Sequence, residues 1–250
     1  MPAVMFKVKC MTNMHVGGGD INYSLIDNEV ERDPITEYPV IHASGVKGAL
    51  REYFSRDEEL CGYVNDIFGR DEPKQTAPGR LKFLEANMLA VPARASAGDC
   101  VYYLVSTEKA LENYAEFRAI FLGELREKCI SELQSVKERS AEGIPLNSKR
   151  VVLGEEIHIL SDNEFKKIPL PVIARNKLEN GISKNVWYEE VVPRKSVFYF
   201  WVISNNIPED AVLLERFKNI INNQVIQFGA NASIGYGLCM ITAVEENKHG

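Results

Sequence analysis

Asp27 lies in the segment Ser24-Leu25-Ile26-Asp27-Asn28. A carboxylate held beside a phosphate can bind a divalent ion or take a proton from an attacking hydroxyl. Asp20, Glu29, Glu31 and Asp33 surround it, so a solvated loop acid is the competing reading. A second stretch is Ser44-Gly45-Val46-Lys47-Gly48-Ala49-Leu50-Arg51. A helix N-terminus with small residues, an early lysine and an arginine one turn later suits an anion. The upstream glycine and spacing of a P-loop are missing, and an ordinary capped helix with two solvated cations is the alternative. The third stretch, Phe228 to Gly237, is glycine-rich. Gly229, Gly235 and Gly237 allow close backbone approach to a phosphate, Asn231 and Ser233 can donate hydrogen bonds to it, and Tyr236 can stack on a base. A tight turn before a strand is the plainer account.

Two further features belong with these. His15 precedes Gly17-Gly18-Gly19 and could contact RNA or act as an acid, although a lone histidine is more often structural. Asn180-Gly181 between two extended arms is a strong signal for a hairpin with a two-residue turn. Its arms carry Arg175, Lys177 and Lys184, and Leu178 and Ile182 flank the tip. Such a tip could wedge between bases or pack on a partner chain.

The elements that must position these residues follow from periodicity. Val4 to Cys10 alternates as a half-buried strand. Thr12 to Pro39 has no sustained period and reads as a long irregular loop. Ser44 to Phe54 reads as a helix with Ser44 as N-cap and Val46, Ala49, Leu50, Tyr53 and Phe54 as its apolar face. Asp71 to Gly79 reads as a charged loop, Leu81 to Leu89 as a strand ended by Pro92, and Val101 to Val105 as another strand. Glu108 to about Arg139 has helical spacing with a break near Gly123, its stripe running through Leu111, Tyr114, Phe121, Leu125, Cys129, Leu133 and Val136. Gly143 to Gly154 reads as a linker leading to Glu156–Leu160. Ser196 to Ile203 is a strand, Pro208 opens a helix through Asn222, and Leu238 to Val244 closes the chain as a strand. The order strand, helix, strand, insertion, strand, helix, strand predicts an α+β, ferredoxin-like (RRM-like) core.

Composition bounds the function classes. With 250 residues, 45% of them hydrophobic and 26% charged, the chain can bury a substantial core. No apolar run is long enough to cross a membrane, and no signal peptide is evident, so a cytoplasmic location is expected. Five single cysteines without a C-x-x-C pair argue against a disulfide framework or zinc knuckle and for buried, reduced thiols. The net charge of −6 counts against bulk attraction to nucleic acid. A local basic track remains compatible with it, because phosphates feel charges within a Debye length of roughly 8 Å.

The order of these signals resembles the RAMP superfamily of CRISPR proteins, and within it the backbone subunits of type III-B (Cmr) effector complexes. His15-Val16-Gly17-Gly18-Gly19 is similar to that family's His-x-Gly-x-Gly opening. Leu25-Ile26-Asp27 falls at its catalytic aspartate, with one extra residue between His15 and Asp27 that keeps Asp20 as the second choice. Tyr38-Pro39-Val40-Ile41 leading to Ser44-x-x-Lys47-Gly48-x-x-Arg51 resembles its guide-binding helix start. Gly79 to Phe83 and Val91 to Arg94 resemble its middle strand region, and Glu189-Glu190-Val191-Val192-Pro193 followed by Ser196 to Phe200 resembles the segment after its thumb hairpin. Gln227 to Gly237 matches its C-terminal glycine-rich loop, with Ala230 where glycine is usual.

The resemblance implies one RAMP domain over residues 1–250, with a core of about 1–106 and 189–250 and an insertion of about 107–188 that carries a thumb hairpin. It implies RNA contacts from His15, Ser44, Lys47, Arg51, Asn231, Ser233, Gly235 and Tyr236, and a thumb tip of Leu178, Asn180, Gly181 and Ile182. Asp27 would cut guide-paired target RNA with a divalent ion, Mg2+ or Mn2+, weakly held without RNA. The implied partners are a CRISPR guide RNA, complementary target RNA, further copies of the chain and other Cmr-type subunits. A purely structural guide-binding subunit and a metal-independent guide-processing endoribonuclease using His15 are the alternatives within the family. A regulatory ferredoxin-like domain with no RNA role is the alternative outside it.

Overall fold

A computed structural model describes residues 1–17, 26–72, 75–95, 100–123 and 149–244. In chain order its elements are β1 (Ala3–Cys10), β2 (Val40–Ile41), α1 (Ala43–Ser55), α2 (Val64–Phe68), β3 (Gly69–Glu72), β4 (Gln75–Pro78), β5 (Leu81–Phe83), β6 (Ala86–Arg94), β7 (Tyr102–Thr107) and α3 (Glu108–Leu122). Then follow β8 (Lys149–Val152), β9 (Glu155–Leu160), α4 (Asp162–Phe165), β10 (Val172–Glu179), β11 (Ile182–Glu190), β12 (Val197–Ser204), α5 (Pro208–Ile221), β13 (Gln224–Gln227) and β14 (Leu238–Ala243).

The main sheet runs β13-β14-β1-β12-β6-β7-β9-β8. Its centre, β14-β1-β12-β6, sets the fourth, first, third and second core strands side by side, all antiparallel. With α1 after β1 and α5 after β12, this is the expected ferredoxin-like arrangement. β1 pairs Ala3 with Ile203 of β12 on one edge and Phe6 with Ala243 of β14 on the other.

All eight residues of β12 are buried, which accounts for its unbroken apolar run. Phe198, Phe200 and Val202 face the cluster that also holds Phe6, Val8 and the apolar sides of α1 and α5. Phe54 of α1 stacks on Phe217 of α5 at 5.6 Å, and Phe6 stacks on Phe200 at 5.2 Å. The alternate residues Val197, Tyr199 and Trp201 face a second cluster with Leu111, Tyr114 and Ala115 of α3. The sheet is thus covered on both faces.

Several local expectations change. The helix α1 starts one residue early, at Ala43. Its N-cap is His42, which makes no side-chain cap bond, and Ser44 lies within the first turn. The His42 ring turns instead to Glu31, with Nε2 2.7 Å from Oε1. The stretch expected as a loop from Asp71 to Gly79 includes the end of β3 and all of β4, which pair antiparallel. The strand expected from Leu81 to Leu89 is broken at Leu84–Glu85, and both halves pair with β12. It does not end at Pro92. β12 pairs with β6 only as far as Ala90, and a strand with a free edge accommodates the missing N–H while β7 holds the other side to Arg94. The expected linker before Gly154 includes β8. Gly123, at φ 67°, ends α3 as expected, but the second helix read beyond it lies outside the described residues, as do Gly18, Gly19 and Asp20. Cys10 and Cys239 are buried and free, but Cys61 and Cys100 are exposed, contrary to the expectation of buried thiols.

Candidate nucleic-acid interface

The hairpin β10–β11 forms a two-stranded sheet of its own. Its turn residues Asn180 and Gly181 have φ of 52° and 77°, the paired positive values that asparagine and glycine tolerate in a two-residue turn. Val172, Ile182, Val186 and Tyr188 are 45–63% exposed along it. A lone two-stranded hairpin is marginal in water, so this one depends on its root and on whatever covers its apolar residues. One irregularity falls between Lys177 and Leu178, near the tip.

The root is where the candidate residues meet. Adjacent Glu189 and Glu190 at the end of β11 are 4% and 6% exposed. Glu189 Oε1 accepts the Asn231 side-chain amide at 2.7 Å, and its Oε2 accepts Arg175 Nη1 at 2.9 Å. The Arg175 guanidinium lies over the rings of Trp187 at 5.7 Å and Tyr236 at 5.6 Å. Tyr236, read from the sequence as a base-stacking residue, thus has a guanidinium on its ring in this structure. Glu190 Oε2 accepts the Val30 N–H at 3.1 Å, and Oε1 pairs with Arg32.

His15 sits between these parts and is 6% exposed. Its Nδ1 donates to the Glu190 carbonyl at 2.7 Å, and its Nε2 is 3.9 Å from Glu189 Oε1. Its own carbonyl accepts the Ala230 N–H at 2.9 Å. The ring is therefore turned inward, bracing the glycine-rich loop against the hairpin root, and does not present itself to a ligand.

Asp27 lies exposed at the edge of β11. Its Oδ2 accepts the Tyr188 N–H at 2.7 Å, while its own N–H and that of Asn28 donate to the Tyr188 carbonyl at 3.0 and 3.2 Å. Oδ1 has no hydrogen-bond partner among the described residues. The carboxylate is thus aimed by the backbone of the hairpin. No group of three or more metal-binding side chains occurs among the described residues.

In the glycine-rich loop, Asn231 at φ 64° opens a 3-10 turn over Ala232–Ile234, and Gly235 at φ 82° closes it. Ser233 and Gly235 are exposed, so the loop offers a hydroxyl and bare backbone to solvent. On α1, Ser44 is exposed and Lys47 and Arg51 are half-exposed, and neither cation has an ion-pair partner among the described residues. The uncapped first turn leaves its N–H groups for an anion. The His42–Glu31 pair ties this helix start to the loop that carries Asp27.

The structure therefore gathers Asp27, His15, Asn231 and Tyr236 at the hairpin root. Ser44, Lys47 and Arg51 stand on a neighbouring element, and Asn180, Gly181 and Ile182 stand at the far tip. Sequence reasoning gave Glu189 and Glu190 no role. The available signal was two adjacent carboxylates at the foot of a strand that returns to the core, where alternation buries at least one.

The sequence pattern of the RAMP superfamily matches residues 7–239. The chain belongs to the RAMP superfamily. Among individual proteins, the CRISPR system Cmr endoribonuclease Cmr4 of Pyrococcus furiosus is 24% identical over all of this chain and 98% of its own length. The Cms endoribonuclease Csm3 of Streptococcus thermophilus is 28% identical over 42% of this chain and 53% of its own. The fold of the apo type III-B Cmr-beta structure superposes with a TM-score of 0.78 at 21% identity, covering 98% of each chain. The crystal structure of oligomeric Cmr4 from Pyrococcus furiosus gives 0.69 at 21% identity, over 98% of this chain and 99% of that one. This RAMP chain thus matches those folds nearly end to end.

Proposed function

We propose that this RAMP protein is a guide-holding backbone subunit of a type III-B CRISPR effector, and that Asp27 cuts the target RNA paired to the guide. The observation that carries the reading is the Asp27 carboxylate, exposed and aimed by the Tyr188 amide at the root of a protruding hairpin. Full-length similarity to an endoribonuclease named for the Cmr system supports the same reading.

The roles follow from the geometry. The α1 start, with Ser44, Lys47 and Arg51, and the loop with Ser233 and Gly235 grip guide phosphates through backbone N–H groups and side chains. The hairpin enters the guide–target duplex, where Ile182 at its tip unstacks a base step. Splaying the target strand lines its 2′-hydroxyl up with the adjacent phosphate, a positioning effect that can be worth several kcal/mol. Asp27 Oδ1 faces that site. Base pairing to the guide supplies sequence selection, so the acidic net charge does not oppose function.

A carboxylate oxygen with no hydrogen-bond partner among the described residues suits a magnesium ion that keeps several waters and takes its other ligands from RNA phosphate. When bound, such an ion stabilises charge on the phosphoryl oxygens. Asp27 would hold it, weakly without RNA. His15 does not favour the guide-processing alternative, because its ring is buried and both nitrogens face the hairpin root.

The test is target-RNA cleavage by the reconstituted complex, wild type against Asp27→Ala, with and without EDTA. Regularly spaced products lost in both the variant and the chelated sample are expected. Undiminished cutting by Asp27→Ala would leave this chain as a scaffold.

A further inference from the structure

Glu189 and Glu190 are adjacent in β11, so their side chains leave opposite faces of the hairpin root. Burying two carboxylates side by side is strongly unfavourable unless both are paired and hydrogen-bonded. Each is satisfied, and by a different loop. Glu189 holds the glycine-rich loop through Asn231 and the hairpin arm through Arg175. Glu190 holds the loop that carries Asp27, through the Val30 N–H and Arg32, while its own N–H donates to the Asn28 carbonyl at 2.8 Å.

We propose that this carboxylate pair is a two-sided clamp. Glu189 is the positioning residue for the guide-facing loop, and Glu190 is the positioning residue for the Asp27 loop. The inference rests on the reading that Asp27 cuts and that the glycine-rich loop meets the guide. Neither glutamate touches RNA in this account. Each transmits the seating of the hairpin to one loop, so seating the hairpin sets both the grip and the cut. The charge matters as well as the shape, because Arg175 and Arg32 each meet one carboxylate and a neutral amide would leave them half-buried without a counter-charge.

The experiment uses the complete reconstituted complex with labelled guide and target RNA. Glu190→Gln is expected to lower the single-turnover cutting rate constant about tenfold or more, since ångström-scale misplacement of a reacting group has costs of that order. Its guide release should stay close to wild type, and the amount of target finally cut should be full. Glu189→Gln is expected to speed guide release about tenfold, with Glu189→Asp restoring part of the grip. A purely structural role would instead lower the amount of target cut, by reducing the active fraction, at an unchanged rate constant. That result would overturn the proposal, as would both variants moving both readouts in the same proportion. If a buried variant fails to fold, Asn231→Ala and Arg32→Gln remove the outer partner of each carboxylate and must reproduce the same split. Guide release is read without any cutting. Active Asp27→Ala complexes would therefore unseat the catalytic assignment and leave the Glu189 arm to be judged on its own.

Discussion

Replacing Gly229 by alanine tests whether the glycine-rich loop is held by direct backbone apposition to the His15 segment. Gly229 has φ 75°, and a Cβ built there would lie 2.2 Å from the His15 carbonyl oxygen and 3.0 Å from the Val16 side chain. Gly235 is the control, because its φ is 82° but nothing lies within 4 Å of its Cβ position. A left-handed alanine costs about 1–2 kcal/mol, so Gly235→Ala should lose that much. Gly229→Ala incurs the same strain and must also push the His15 carbonyl away. That weakens the bond from the Ala230 N–H, about 1 kcal/mol, and disturbs the buried contact of the His15 ring with Glu190. The sum is about 3–4 kcal/mol, two to three times the control. The stiffening of the unfolded chain by alanine is common to both variants and cancels in the comparison. Urea unfolding of the two variants and wild type, with matched slopes, measures the difference. Equal losses at the two positions would refute the apposition argument.

The remaining expectations are these. Asp27→Asn keeps an oxygen for the Tyr188 N–H, so unfolding of the isolated chain should be unchanged while target cutting by the complex is abolished and RNA binding persists; loss of binding would refute the assignment. Gly181→Ala places a Cβ at φ 77° and should cost the hairpin about 1–2 kcal/mol. Amide exchange along β10 and β11 should then quicken about tenfold, with exchange in β12 unaffected. Burial pushes the His158 imidazolium below its ordinary value of 6.5, the Lys149 charge adds to this, and Glu156 opposes it without prevailing. The unfolded chain therefore takes up a proton near pH 6.5 while the folded chain resists it. This stability is fully present above that pH and is lost as pH falls toward the folded value. Melting curves from pH 7.5 to 5 should show wild type losing ground to His158→Phe, and parallel curves would refute the argument.

What was legible in the sequence was whatever depends on neighbours along the chain. The alternation of Val4 to Cys10, the apolar face of Val46, Leu50 and Phe54, the proline at the start of α5 and the Asn180-Gly181 turn all stand as expected. Sequence alone favours Ser44 as the start of α1 because serine is a good cap by type, whereas His42 stands at the chain's entry with its ring on a partner distant in sequence, Glu31. β13 and β8 are short strands that exist only because β14 and β9 lie beside them. The site divides in the same way. Asp27 and the glycine-rich loop can be seen as local patterns, but the inward turn of His15 depends on residues 175 positions away. The carboxylates that join the parts carry no local mark beyond their adjacency.

The pairing of β1 has a consequence for how the chain is made. Both of its neighbours, β12 and β14, lie some 190 residues or more downstream. At about 5–20 residues per second of synthesis, the first strand waits roughly ten to forty seconds with two open edges. The core cannot close until the last helix and strand emerge, because β1 is the strand on which the sheet is joined. Such non-local closure is slow, and it leaves Met5, Phe6 and Val8 exposed to other nascent chains in the meantime. The yield of folded protein should therefore respond to translation speed and chaperone supply more than the stability of the finished sheet would suggest.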